Sequence, residues 1–283
     1  MNISLQKNGL QIIILLLLLV LFPEVLVGQS HEGKVLSSRT NSGIGFVNVI
    51  ITGRNIGTVA DISGRFSIDL DNKDDNDSLR FSMIGYESKS IVISQFRTDS
   101  LKIVYLDPVL YNLQEVIVME HRHKLREVQI GTPVYTNILR SGFAYNDLGS
   151  ELGIKDHVKG VVRLRDMHLN VAVCTYDSVT YRLNIYKSDD GVDYKNILTS
   201  PVYISFSGDQ VSEVLTFDLT EYSIVVEGDI LVTLELYKDL GEGKLLFQTQ
   251  YFKDYTYHRK TNDGKWTRSA GAIGLSLHGQ KIR

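Results

Sequence analysis

The chain has 283 residues, with 30 Lys and Arg against 33 Asp and Glu, which gives a formal net charge of −3. This balance excludes a strongly basic surface of the kind that binds nucleic acid, because such a surface needs an excess of positive charge to meet the phosphates. The length predicts two domains. The single cysteine, Cys174, excludes an internal disulfide framework and lies in an apolar run, so it is predicted to be a buried thiol on a strand.

Residues 1–28 are predicted to be a signal peptide. Lys7 gives this segment a positive start, and an unbroken apolar run follows at residues 12–22. The run is short for a membrane span, and Gly28 supplies a small residue at the expected cleavage point. We therefore expect an exported protein that is periplasmic, associated with the outer membrane or extracellular, with no transmembrane span in the mature chain. An uncleaved N-terminal anchor is the alternative.

Residues 29–110 are predicted to form the first domain, in which short strands follow one another closely. These strands span residues 34–36, 46–52, 65–70, 78–83, 90–93 and 101–106. Asp61 and Gly64 form a turn signal, and the residues after it alternate between apolar and polar, as in a half-buried strand. The predicted core residues are Phe81, Met83, Tyr86, Ile91, Ile93, Leu101 and Ile103.

Residues 31–118 carry an ordered set of glycines and strand residues. The set includes Gly33, Val47, Gly57, Asp61, Gly64, Phe66, Phe81, Gly85, Tyr86 and Glu115. It resembles the carboxypeptidase regulatory-like domain, which implies a seven-stranded, transthyretin-like β-sandwich without catalytic residues of its own. Such a domain resembles the N-terminal module of TonB-dependent outer-membrane receptors. Only 165 residues follow residue 118, so we do not expect the plug and barrel of a receptor.

Two polar segments invite a metal-binding interpretation, and both are predicted not to bind a metal. In the acidic loop at residues 71–77, Lys73 stands where a calcium ligand is needed. In the predicted linker, residues 111–140, His121 and His123 form an H-x-H pair, but Arg122 and Lys124 beside them would repel a cation. The sequence therefore predicts no metal site and no cofactor.

Residues 141–283 are predicted to form a second all-β domain with longer strands. Alternating or apolar runs recur at residues 161–173, 180–186, 203–206, 214–219, 224–226, 230–237, 245–252, 266–268 and 273–277. Gly-Asp and Asn-Asp-Gly signals separate several of them. This pattern predicts a jelly-roll-like β-sandwich.

No catalytic residues are predicted, because no known nucleophile, metalloprotease or phosphate-binding motif is present in the sequence. Ser207 precedes Gly208 but lacks the glycines of a nucleophile elbow. Asp166 and His168 share one face of a predicted strand and could form a catalytic pair, although a structural pair is favoured. Glu235 lies between two leucines on an apolar strand and is predicted to face solvent by alternation.

Aromatic side chains supply the predicted ligand-binding residues, which are Tyr255, Tyr257 and Trp266. Eleven of the 15 tyrosines and the only tryptophan lie beyond residue 140. Flat rings that share an exposed face can stack on sugars, whereas rings at sandwich edges can simply cover the core. The basic residues nearby could instead meet an acidic partner; they are Arg259, Lys260, Lys265 and Arg268.

Three functional hypotheses follow from the sequence. The first is an exported, non-catalytic binding or assembly module of the bacterial cell envelope, whose partner is an envelope protein or a glycan. The second is a carbohydrate-binding accessory protein of a glycan-uptake system, which requires the three predicted aromatic residues to share an exposed face. The third is an enzyme of unrecognised type, which requires Asp166 and His168 to gather with a further polar group.

Overall fold

The computed structural model describes residues 29–71, 75–109, 126–133, 138–143, 147–188, 190–191, 193–210 and 214–282. The expected signal peptide and the His121/His123 pair lie outside these residues, as does part of the acidic loop. The described chain is built of β-strands with one short helix, α1 (Ile93–Thr98), and two 3₁₀ turns, which confirms the predicted all-β fold. None of these helices is long and apolar enough to cross a bilayer.

The first domain is a sandwich of two sheets. Its described strands are β1 (Gln29–Ser37), β2 (Asn48–Ile51), β3 (Ile56–Val59), β4 (Arg65–Leu70), β5 (Ser78–Ser82), β6 (Lys89–Val92) and β7 (Ile103–Leu106). One sheet has the order β4-β1-β7, in which β1 is antiparallel to β4 and parallel to β7. The other sheet has the order β3-β2-β5-β6 and is antiparallel throughout.

The core of this sandwich follows the alternation that the sequence predicts for β4. Phe66, Ile68 and Leu70 are buried, and the residues between them are exposed. The ring of Phe66 lies 5.5 Å from that of Phe81 and 6.0 Å from that of Phe96 of α1. Three aromatic rings from a sheet edge, a central strand and the helix thus join the two layers by packing alone.

Five of the seven predicted core residues are confirmed, whereas Ile103 is only half-buried and Leu101 lies outside the core. Phe81 and Ile93 are fully buried, and Met83, Tyr86 and Ile91 pack against the same cluster. Leu101, by contrast, is 75% exposed. The reason is local: the backbone N–H of Leu101 donates to Asp99 Oδ1 in a bend after α1, so β7 begins only at Ile103.

The turn before β4 forms as its sequence predicts. Asp61 Oδ1 accepts hydrogen bonds from the backbone N–H groups of Ser63 and Arg65, at 2.8 and 2.9 Å, and from Ser63 Oγ at 2.7 Å. Gly64 has a φ of +81°, and a Cβ there would lie 2.4 Å from the carbonyl oxygen of Val35. The carboxylate and the glycine together fix the direction in which β4 leaves the turn.

The second domain forms one large sheet that wraps around its own core. Its described strands are β8 (Arg126–Gly131), β9 (Arg140–Ser141), β10 (Glu151–Cys174), β11 (Ser178–Ser188), β12 (Lys195–Asn196), β13 (Val202–Ser207), β14 (Val214–Asp218), β15 (Val225–Glu235), β16 (Leu245–Arg259), β17 (Thr267–Ile273) and β18 (Leu275–Lys281). The main order is β12-β11-β15-β10-β16-β17. In addition, β13 pairs with β11, β14 and β18 pair with β10, β8 pairs with β18 and β9 pairs with β16.

The 24-residue strand β10 organises this domain. Its first half pairs with β15 and β16, its second half pairs with β14 and β18, and its last residues, from Val171 to Cys174, pair with β16 again. The pairing with β15 shifts register between Val158 and Val162, around Gly160, whose φ is +81°. An irregularity of this kind bends a strand, so β10 passes from one group of strands to the other. The predicted β-sandwich class is confirmed, and the jelly-roll topology stays a prediction.

The second domain also takes in part of the segment predicted to be a linker. Residues 126–131 form β8, which pairs antiparallel with β18 from Ser276↔Gly131 to Lys281↔Arg126. Ile130 joins the core of the second domain. The alternation around Ile130 is weak, which is why the sequence alone gave no strand signal there.

We expect Asp61→Ala to lower the free energy of unfolding by about 1 kcal/mol at pH 7, because three hydrogen bonds of a turn are lost. The hydrogen bond from the Ser63 side chain, with the backbone bonds, lowers the pKa of Asp61 below its ordinary value of 3.8. The stabilisation is therefore present above pH 3.8 and is lost as the pH falls through the lowered pKa.

Urea unfolding at pH 7 and at an acidic pH below this pKa measures both effects. Asp69→Ala, an exposed position on β4, is the control. An equal loss for the two variants at pH 7 would contradict this role of Asp61.

Candidate functional site

A row of four charged side chains crosses four neighbouring strands of the second domain. Its members, in order across the sheet, are Arg182 on β11, Glu235 on β15, Glu151 on β10 and Arg259 on β16. Directly paired residues of antiparallel strands point to the same face of a sheet. All four side chains are nonetheless buried. The first domain contacts Arg182 and Glu235, and the rings of Tyr186 and Trp266 pack against Arg259.

Arg182 and Glu235 form a bidentate ion pair at the centre of the domain contact. Arg182 Nη2 lies 2.6 Å from Glu235 Oε1, and Arg182 Nε lies 2.9 Å from Glu235 Oε2. Burial acts to raise the pKa of Glu235, but the charge and hydrogen bonds of Arg182 outweigh it and hold this pKa below its ordinary value. Glu235 was predicted to face solvent; that prediction is wrong, because alternation identifies the outer face of β15 but not the domain packed on it.

The first domain binds directly to this ion pair. Asn48 Nδ2 of β2 donates to Glu235 Oε1 at 2.7 Å, and Arg182 Nη1 donates to the backbone carbonyl of Phe46 at 2.8 Å. The ring of Phe46 also packs edge-on against Tyr237, with the centroids 4.7 Å apart. Both charged and aromatic contacts therefore hold the first domain against the outer face of β11 and β15.

Glu151 and Arg259 form the other half of the row. Glu151 accepts hydrogen bonds from Arg259 Nε at 2.9 Å, from the Tyr186 hydroxyl at 3.0 Å and from Thr233 Oγ1 at 2.5 Å. Burial raises the pKa of Glu151, the charge of Glu235 adds to this rise, and the charge of Arg259 opposes it. The row thus contains two carboxylates with different pKa shifts, although each has an arginine partner.

An amide joins the two ion pairs. Asn184 Nδ2 donates to Glu235 Oε2 at 2.7 Å and approaches Glu151 Oε2 at 3.4 Å. Asn196 Nδ2 donates to Asn184 Oδ1 at 2.8 Å. The amide of Asn184 is oriented by these contacts, so the polar groups around the row form one connected network.

A cleft of about 350 Å³ lies above this network, between the two domains. The first domain contributes Asn48, Arg80, Ser82, Met83, Ile84, Gly85, Tyr86 and Ser88, and the second contributes Arg182, Asn184, Tyr186, Tyr194, Lys195, Asn196, Leu198, Glu235, Arg259 and Asn262. Amides, guanidinium groups and phenol rings dominate these walls. The volume falls at the lower end of the range typical of small-molecule sites, about 300–1,000 Å³.

Tyr255 and Tyr257 share a face of β16 with Arg259, a residue of the cleft wall, and Trp266 contacts Arg259 from just before β17. Tyr255 and Tyr257 are two residues apart on β16. Trp266 directly precedes Thr267, the β17 residue that pairs with His258 of β16. The Arg259 guanidinium lies 4.3 Å from the Trp266 ring centroid. Tyr255 is 42% exposed, whereas Tyr257 and Trp266 are half-buried.

A further polar cluster lies away from the cleft, in the second half of β10. His168 Nε2 is 2.9 Å from Asp166 Oδ1, so the predicted pair forms. His278 of β18 joins it, with Nδ1 3.3 Å from the same carboxylate oxygen. The sequence indicated no link between His278 and this pair, because only the pairing of β10 with β18 brings them together.

Cys174 is half-buried at the end of β10, less enclosed than the sequence predicts. Its thiol donates to the carbonyl of Tyr176 at 3.6 Å. Burial raises the pKa of this thiol, which keeps it protonated and unreactive near neutral pH.

The buried row itself was missed by sequence reasoning. Arg182, Asn184 and Tyr186 alternate with apolar residues, and such a pattern is typical of a strand with one solvated face. The available signal was the long apolar run on both sides of Glu235, which is unusual for a strand that faces water. No signal in the sequence shows that the first domain covers the polar face of these strands.

We expect Arg182→Met to lower the free energy of unfolding by about 3–5 kcal/mol, because it leaves the carboxylate of Glu235 buried without its partner. The double variant Arg182→Met/Glu235→Met removes both charges and should recover much of this loss. Urea unfolding of the single and double variants measures the coupling.

Lys187→Met is the matched control, since Lys187 and Glu227 form an exposed ion pair, 2.9 Å long, on the same two strands. It should cost less than about 1 kcal/mol. Similar losses for Arg182→Met and Lys187→Met would contradict the importance of the buried pair.

Comparison with known proteins covers the first domain alone. The family model for the CarboxypepD_reg-like domain matches residues 31–118, a range that includes all but the first two residues of the strands of the first sandwich, and also Asn48 of the cleft. No curated protein matches the chain. The match agrees with the glycine turns and the two-sheet packing described above. The first sandwich is therefore a carboxypeptidase regulatory-like domain.

Proposed function

We propose that the protein is an exported, non-catalytic binding or assembly module of the bacterial cell envelope, and that its ligand binds in the cleft between the two domains. The observation that carries this proposal is the origin of the cleft walls, to which both domains contribute polar side chains. A ligand in the cleft would contact the regulatory-like domain and the second sandwich at once.

The network beneath the cleft supports a binding role, because it holds the lining groups in place before a ligand arrives. Asn184 is fixed by Glu235 and Asn196, and Arg182 is fixed by Glu235 and Phe46. Preorganised donors lose little entropy when they bind a ligand. The mixture of amides, cations and hydroxyl groups suits a ligand rich in hydroxyl or carboxylate oxygens.

Export is proposed from the N-terminal segment. The apolar run at residues 12–22 follows Lys7 and precedes Gly28, an order typical of a secretory signal. The expected location is the periplasm, the outer membrane or the extracellular space, where an envelope protein or a glycan would be available as the partner.

A carbohydrate ligand is the second candidate, and the aromatic residues favour it. Trp266 stacks on Arg259, a residue of the cleft wall, and Tyr255 lies exposed on the same face with the Arg268 guanidinium 4.3 Å from its ring centroid. Rings and polar groups side by side are what a sugar requires, since it presents an apolar face and a rim of hydroxyl groups. A glycan could therefore extend from the cleft along β16.

The cleft proposal predicts that Arg80→Ala/Tyr194→Ala weakens ligand binding by about tenfold or more, equivalent to about 1.4 kcal/mol. Residues 29–283 would be screened against a glycan panel and against detergent-solubilised envelope fractions, and the Kd of each ligand found would be measured for the variants.

Arg54→Ala/Tyr105→Ala is the matched control, because it removes the same side-chain types at exposed positions outside the cleft. The cleft proposal fails if the ligand binds the cleft variant and the control equally well.

The carbohydrate candidate makes a separate prediction. Tyr255→Ala should weaken glycan binding by roughly 3–10-fold, the loss of one stacking contact of about 0.5–1.5 kcal/mol, while Tyr105→Ala, with 41% exposure against 42%, should change nothing. Isothermal titration with the best glycan of the panel measures both. Binding of an envelope protein with no glycan bound would eliminate the carbohydrate candidate and retain the first proposal.

A further inference from the structure

The cluster formed by Asp166, His168 and His278 has the composition and geometry of a metal site. Asp166 and His168 are two residues apart on β10, so their side chains point to the same face of the sheet. His278, on β18, is the direct cross-strand partner of Asp166 on β10. Three side chains from two neighbouring strands therefore converge, and their ligand atoms all lie within 4.8 Å of one another.

The two distances from the Asp166 carboxylate to the imidazoles fit coordination of one ion. Two ligands at about 2.0–2.1 Å from a metal, separated by about 90–110° at it, lie about 2.9–3.4 Å apart. Asp166 Oδ1 is 2.9 Å from His168 Nε2 and 3.3 Å from His278 Nδ1. The two imidazole rings, with centroids 4.0 Å apart and an angle of 58° between their planes, approach the carboxylate from different directions.

The contacts of Asp166 Oδ1 with the two imidazoles are close in distance but do not have the geometry of hydrogen bonds. Asp166 Oδ1 is buried, yet within the described part of the chain no group donates a hydrogen bond to it, although two imidazole nitrogens lie within 3.3 Å. His278 Nε2 is likewise buried without a partner there. A buried carboxylate oxygen without a well-aligned donor is costly, and a cation held between the three groups would satisfy it.

The surroundings of the cluster leave room for further ligands. The Asp166, His168 and His278 side chains are 17%, 26% and 28% exposed, respectively, so water can reach the group. Arg165 Nη2 lies 3.7 Å from Asp166 Oδ2, but Arg165 also pairs with Glu127 at 2.9 Å, which balances its charge. Asp218 of β14 lies directly across from Asp166 and adds a negative charge to this face.

We propose that Asp166, His168 and His278 bind a divalent transition-metal ion of the Zn²⁺ type, with open positions filled by water. Two imidazoles and one carboxylate suit Zn²⁺, Co²⁺ and Ni²⁺ better than Ca²⁺ or Mg²⁺, which prefer ligand sets made only of oxygen. This proposal departs from the expectation from the sequence, which was that no metal is bound. It does not depend on the function proposed for the cleft.

Titration of residues 29–283 with Co²⁺, followed by its visible absorption and by calorimetry, tests the site, with Zn²⁺ as a competitor. We expect one ion per chain. Removing a group that only hydrogen-bonds to a metal ligand weakens metal binding by roughly 10–100-fold. His278→Gln and Asp166→Asn remove ligands themselves, so each should weaken Co²⁺ binding by more than this. Zn²⁺ should raise the thermal midpoint of the wild type but not that of His278→Gln.

Two controls locate the ion. His157→Gln alters a histidine that pairs with Asp229 at 2.6 Å and is absent from the cluster, and His121→Ala/His123→Ala removes the H-x-H pair. Both should bind Co²⁺ as the wild type does. The proposal is overturned if the wild type binds no stoichiometric ion. It is also overturned if His278→Gln has a native circular dichroism spectrum and binds the ion as tightly as the wild type, or if only the H-x-H variant loses the ion.

Discussion

The structure depends on one constraint, which is that two arginines and two glutamates are buried in a single row across the sheet. Arg182, Glu235, Glu151 and Arg259 together carry no net charge, so the row is tolerable only while each member keeps its partner. This requirement fixes the register of β11, β15, β10 and β16, because a shift of one residue would move charges into the apolar core on the other face. It also requires a cover over Glu235, which the first domain supplies through Asn48.

The functional features follow from the same row. Both arginines and Glu235 line the cleft, and the amides that contact Glu235 line its walls. At its outer end, Arg259 orients Trp266, so the aromatic residues continue the polar surface along β16. The proposed metal cluster lies in the other half of β10, where the strand pairs with β14 and β18. The long strand thus carries Glu151 of the row at its start and Asp166 and His168 of the proposed metal cluster in its second half.

The features that could be predicted from the sequence are those that depend on residues close together along the chain. The turn at Asp61 and Gly64, the alternation in β4 and the all-β composition all follow from local backbone and side-chain preferences. The pair formed by Asp166 and His168 could also be predicted, since both residues lie on one strand. His278 could not be added, because its partner is a strand more than a hundred residues away.

The same reasoning explains the errors. Alternation places Glu235 on the face of β15 that Leu234 and Leu236 do not share, and this is correct. What covers that face depends on the packing of the first domain against the second. Leu101 is apolar and precedes a strand, but the Asp99 bend turns it outward. In both cases the intrinsic pattern of the strand was overridden by contacts that a single sequence does not display.

The central claim is that the buried row joins the two domains into one structural unit. Equilibrium urea unfolding of residues 29–283, monitored in one experiment by Trp266 fluorescence for the second domain and by amide exchange of Leu79 and Phe81 for the core of the first, tests it most directly. The account predicts a single transition with coincident midpoints for both probes. Two separate transitions, with the first domain unfolding while the Trp266 signal remains native, would contradict it.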